Sequence, residues 1–113
     1  MAVLILFKPG VSMRFLHPVT LRGMADVGEA WAATFPDLPF VITSIQDGQH
    51  LPTGFHPKGL AFDFRIHTVP RPSLPHLELF VRGFRKDHPP WQVLLEGIGT
   101  PGEHGHAEYD EGT

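Results

Sequence analysis

The chain has 113 residues, 42% of them apolar and 19% charged, with no cysteine and a net charge of −3 when its histidines are neutral. That length supports one hydrophobic core, hence a single domain over residues 1–113, and the composition is that of a globular protein rather than a disordered one. The acidic balance leaves no basic stripe to neutralise phosphates, which argues against nucleic acid as a partner, and without cysteine there can be neither disulfides nor thiolate zinc sites.

Twelve prolines and twelve glycines predict short elements joined by turns. Ala2 to Phe7 is apolar and bounded by Lys8, Pro9 and Gly10, so it reads as a first strand. It has no basic residues before it and no small-residue cleavage site after it, which is unlike a secretory leader. No stretch approaches the roughly 20 apolar residues of a bilayer span. The expectation is a soluble product made in the cytoplasm, with no membrane span. From about Val19, apolar residues recur at three- and four-residue spacing through Leu21, Met24, Ala25, Val27, Trp31 and Ala32. This predicts an amphipathic helix capped by Thr20 and ending before Pro36, with Trp31 as a core anchor.

Phe40 to Ser44 is a β-branched strand, followed by the polar loop IQDGQH and then GFHPKG. Leu60 to Ile66 alternates: Ala61, Asp63 and Arg65 fall on one face, Phe62, Phe64 and Ile66 on the other. The phenylalanine face belongs to the core and the aspartate face looks outward. A proline-rich loop precedes a second helix from Leu77 to Lys86, which Pro89 and Pro90 stop. Trp91 to Ile98 and His104 to Tyr109 are the last strands, joined by a turn at Gly99 to Gly102. Two helices and about five short strands predict an α+β fold with a small, mainly antiparallel sheet whose centre is formed by the last three strands.

The histidines and carboxylates suggest chemistry. Catalytic zinc takes three protein ligands and keeps a position open, and both imidazole nitrogen and carboxylate oxygen suit it. His56, Asp63 and His106 supply such a set, each at the junction of a loop and a strand. Gly59 lets the chain turn from the histidine loop into the strand, and small Ala61 leaves room beside the aspartate.

HPKGLAFD resembles the S-x-H-x-x-G-x-A-x-D motif of the zinc D-Ala-D-Ala carboxypeptidase and L-alanyl-D-glutamate peptidase family, EHGH resembles its E-x-x-H motif, and FVITS resembles its VTS strand. The resemblance covers roughly Phe40 to Glu108. It implies a hedgehog-like peptidase fold, zinc held by His56, Asp63 and His106, Glu103 as general base, and cleavage of a peptide bond in peptidoglycan stem peptides at the cell wall. The sequence departs from the family pattern at Gly54, where a serine is usual, and at Asp47, where an arginine is usual. The Asp47–His50 run DGQH resembles a phage-type and bacterial branch. With that arginine missing, strand alternation offers Arg65 as the group facing the oxyanion, with His50 as its rival. His104 and His106 also form an H-x-H pair, and Glu108 shares their strand face, where it could orient a ring. The alternative to an enzyme is a catalytically silent zinc-binding module of the same fold.

Overall fold

The computed structural model describes residues 4–13, 16–45 and 59–110. Asp47, His50, Gly54 and His56 lie outside them. The elements run β1 (Ile5–Phe7), α1 (Pro18–Thr34), β2 (Phe40–Ser44), β3 (Ala61–Phe64), a 3-10 turn (Arg71–Ser73), α2 (Leu74–Asp87), β4 (Trp91–Glu96) and β5 (His104–Tyr109). This is an α+β arrangement of two helices on a five-stranded sheet of order β1-β2-β3-β5-β4.

The sheet is mixed. β1 joins β2 in parallel, Ile5 opposite Phe40, whereas the β2–β3, β3–β5 and β4–β5 pairings are antiparallel. The expectation that the last three strands form the centre is corrected in one respect: β3 is central, flanked by β2 and β5, while β4 is an edge. The turn after β4 folds the chain back as a hairpin, so β5 takes the free side of β3 and β4 is left outside. β4 also ends at Glu96 rather than Ile98, because Gly97 takes a φ of +66° that no strand can continue.

Both helices cover one face of the sheet. Trp31 of α1 and Phe80 of α2 each meet the ring of Phe64 edge-on, at centroid distances of 6.0 and 6.4 Å. Phe40 and Phe62 extend this aromatic cluster, and Met24, Val27, Leu77, Val93 and Ala107 close it. Each large side chain so buried contributes about 1.5–3 kcal/mol, so the cluster dominates the packing energy. The Trp31 indole N–H donates to the Leu38 carbonyl at 3.0 Å, which satisfies the one polar atom the anchor carries inward.

α1 begins one residue before the expected Val19 and its cap differs. His17 is the N-cap, its Nδ1 accepting from the Val19 N–H at 3.1 Å, and Pro18 occupies the first turn, where a missing N–H costs nothing. Thr20 is instead turned into the core, and Leu21 is left exposed. The cause is a tertiary bond: the Thr20 hydroxyl donates to the Gly59 carbonyl at 2.7 Å, and the His17 N–H reaches the same carbonyl at 3.1 Å. α2 begins at Leu74, three residues before the expected Leu77, because Pro75 in its first turn starts a helix as readily as a proline inside one stops it.

Candidate metal centre

β3 delivers Asp63 as alternation predicts. Phe62 and Phe64 are fully buried under the helices and Ile66 nearly so, while Asp63 stands on the face of the sheet opposite α1 and α2. Gly59 enters the strand with a φ of +71°, the left-handed conformation that a side chain would strain. On β5 the same alternation sends Gly105 and Ala107 inward and His104, His106 and Glu108 outward. Phe64 and Gly105 are register partners, and the Phe64 ring occupies the space that a Cβ on Gly105 would need. A glycine between the two histidines is therefore what lets β5 lie against β3.

Register does the rest. Asp63 is opposite His106, and on the other side of β5 Leu94 is opposite His106 and Glu96 opposite His104. Asp63 Oδ1 lies 2.8 Å from His106 Nδ1, and Glu108 Oε1 lies 2.7 Å from His106 Nε2. A carboxylate can only accept, so a ring held between two of them carries hydrogen on both nitrogens and is an imidazolium. Burial, the largest single influence on this ring, lowers its pKa; the hydrogen bonds to Asp63 and Glu108, with their charges, outweigh it and raise the pKa to about 8.

His104 is set differently. Its Nδ1 lies 2.8 Å from the Gly102 carbonyl, and its Nε2 lies 3.4 Å from Glu96 Oε1 and 4.0 Å from Asp63 Oδ1. The cluster opens towards solvent along this direction: side-chain exposure is 12% at His106, 14% at Asp63, 33% at His104 and 49% at Glu96.

The structure does not bring Glu103, the expected general base, into this cluster. Glu103 precedes β5 in the parity of Gly105 and Ala107, the helix side of the sheet. There it receives two hydrogen bonds from the Arg71 guanidinium, at 2.8 and 2.9 Å, and one from the Gly99 N–H at 3.1 Å. The hydrogen bonds from Arg71, then that from Gly99, hold its carboxyl below the ordinary carboxylate range. Arg65 follows β3 directly and is half-buried, its backbone N–H donating to the Val41 carbonyl at 2.9 Å. His50 and His56 lie outside the described residues.

Glu96 and Arg71 escaped the sequence reading. Glu96 was only partly legible: a turn at Gly99 to Gly102 makes the hairpin but would set Glu96 opposite Gly105, and only the observed register places it opposite His104. Arg71 was not, because its contact with Glu103 crosses 32 residues of chain.

Among the described residues, no group of three or more histidine, aspartate or glutamate side chains is placed to hold a metal ion, and no helix is long and apolar enough to cross a membrane. Asp63 and His106 bring one carboxylate oxygen and one imidazole nitrogen together on adjacent strands, both of them atom types that zinc takes, with Glu108 on the other ring nitrogen. Comparisons with protein-family models, with curated proteins and with solved structures gave no match.

Proposed function

We propose that the chain is a zinc-dependent peptidase acting on peptidoglycan stem peptides, as a carboxypeptidase or an endopeptidase. The observation that carries this reading is the pairing of Asp63 with His106. Two residues 43 positions apart, proposed as ligands of one ion, are register partners on neighbouring strands with their side chains 2.8 Å apart on the face opposite α1 and α2. Asp63, His106 and His56, which precedes β3 in the sequence and lies outside the described residues, would hold the zinc. Bound there, zinc would supply Lewis acidity toward the scissile carbonyl and make water a stronger nucleophile near neutral pH. Glu108 would fix the His106 ring, and the open flank at His104 and Glu96 would admit the peptide.

One observation favours the second reading, a zinc-binding module without activity: Glu103 is engaged by Arg71 and Gly99 rather than turned to the metal face. The deciding experiment is digestion of purified muropeptides by protein reconstituted with one equivalent of zinc. Release of a stem-peptide fragment that chelator abolishes and zinc restores supports the peptidase. Stoichiometric zinc binding with no digestion of any stem peptide supports the module, and no zinc binding at all overturns both.

A further inference from the structure

We propose that the outer edge of β4 and the adjoining side of α2 form a self-complementary surface on which a second copy of this chain docks, joining the two sheets edge to edge about a two-fold axis.

Strand parity identifies the free backbone groups of β4. The Asp110 N–H donates to the Pro90 carbonyl at 3.3 Å, while the Tyr109 N–H turns the other way, to the Leu60 carbonyl at 2.9 Å. Alternating from there, the ladder to β5 uses Gln92, Leu94 and Glu96, opposite Glu108, His106 and His104. Trp91, Val93 and Leu95 therefore turn outward. The His88 carbonyl takes the Trp91 N–H, which leaves Val93 and Leu95 with N–H and C=O groups that meet no strand among the described residues.

An open edge of this kind is a template for another strand, and proteins blunt it with proline, lysine, a bulge or brevity. β1, the opposite edge, is three residues long and ends just before Lys8 and Pro9. β4 runs six residues, WQVLLE, in unbroken register, with neither proline nor lysine. Leu94, on the face opposite α1 and α2, is 39% exposed.

The charges on α2 select the partner. Glu78, Arg82 and Arg85 recur at four- and three-residue spacing along one side of the helix and border an open groove whose other wall is Val93, Leu94 and Leu95. None of the three charged side chains has an ion pair among the described residues. A two-fold axis at Leu94, normal to the sheet, sets Val93 opposite Leu95 of the second copy, so that outward-facing groups meet each other. Leu94 meets its own counterpart in the closer, non-hydrogen-bonded position. The same axis reverses the second helix and brings Glu78 of each copy to the arginines of the other. An acidic peptide would satisfy the arginines but set its charge against Glu78; a second copy gives each charge a partner of opposite sign. It extends the sheet at its edge and leaves the metal face clear.

Sedimentation velocity tests this on the wild type, on Glu78→Arg, on the double variant Arg82→Glu/Arg85→Glu, and on an equal mixture of the two variants. The wild type should be a dimer at about 100 μM, a concentration that populates even a weak association. Each variant alone meets its own copy with charges of one sign and should associate at least about tenfold more weakly. Their mixture should restore the dimer as a heterodimer, which misfolded chains could not do. Hydrogen exchange of the wild type should show the Val93 and Leu95 amides protected at high concentration and open on dilution, with Leu94 protected throughout by its bond to β5. A wild type that stays monomeric at about 100 μM would overturn the proposal, and binding of oligoglutamate by that monomer would give the groove to an acidic peptide instead. Dimers that survive in either variant alone, a mixture that fails to associate, or Val93 and Leu95 amides indifferent to dilution would each overturn it too.

Discussion

The two ends of β5 hold carboxylates in opposite ways. At the start of the strand, Glu103 faces a permanent cation: Arg71 grips both oxygens, the Gly99 N–H adds a third bond, and the pKa falls. Two turns of alternation later, Asp63 and Glu108 face a histidine whose charge depends on their presence, and the ring's pKa rises to about 8. An arginine cannot give up its proton, so the first arrangement is a fixed clasp between the turn before α2 and the β4–β5 hairpin. A histidine can exchange its proton for a metal, so the second can become a binding site. Sequence spacing treats E-x-x-H as one motif, whereas the fold separates its two ends onto opposite faces of the sheet.

The largest effect expected on this comparison comes from removing the second arrangement. His106→Ala and Asp63→Ala should each abolish stoichiometric zinc binding, measured by metal analysis after purification without chelator, while Arg71→Ala should leave it intact. Zinc retained in both single variants would mean that the ion, if bound, sits elsewhere.

Next in size is Gly105→Ala. The added methyl meets the Phe64 ring, and overpacking of this kind costs about 1–3 kcal/mol. The urea midpoint should fall accordingly, and zinc affinity should fall with it because His104 and His106 flank the displaced residue. A stable Gly105→Ala protein with wild-type zinc affinity would show that β5 can move off β3 without cost to the site.

Smaller effects come from protonation in the metal-free protein. The His106 pKa is raised from 6.5 in the unfolded reference to about 8, so its contribution to stability is complete below 6.5 and disappears as pH rises through 8. Solvent screening limits it to about 1 kcal/mol. Glu103 has the opposite sign: its lowered pKa stabilises the fold above 4.5 and that stabilisation is lost as pH falls through the depressed value. Chemical denaturation across pH should therefore show metal-free stability falling on the alkaline side in wild type but not in His106→Gln. Arg71→Ala should raise the Glu103 pKa toward its ordinary value, read by carboxyl NMR titration, and weaken the protein's resistance to acid.

Much of this was written in the chain. Alternation in AFDF separates the buried phenylalanines from Asp63, and alternation in HGHAEY separates Gly105 and Ala107 from the histidines and Glu108, because side-chain direction in a strand has period two whatever the strand pairs with. The helices follow from apolar spacing, although Thr20 rather than Leu21 turns inward, since the distant Gly59 carbonyl claims its hydroxyl. Strand order was decided by tertiary structure alone. Local sequence sets which face a residue takes but not which strand lies beside it, so the meeting of Asp63 with His106 across 43 residues, and of Arg71 with Glu103 across 32, depended on how the sheet assembled. Direction was local and legible; the motifs could name Asp63 and His106 together, but the register that makes them neighbours, and the contact of Arg71 with Glu103, were long-range and set by how the sheet and helices pack.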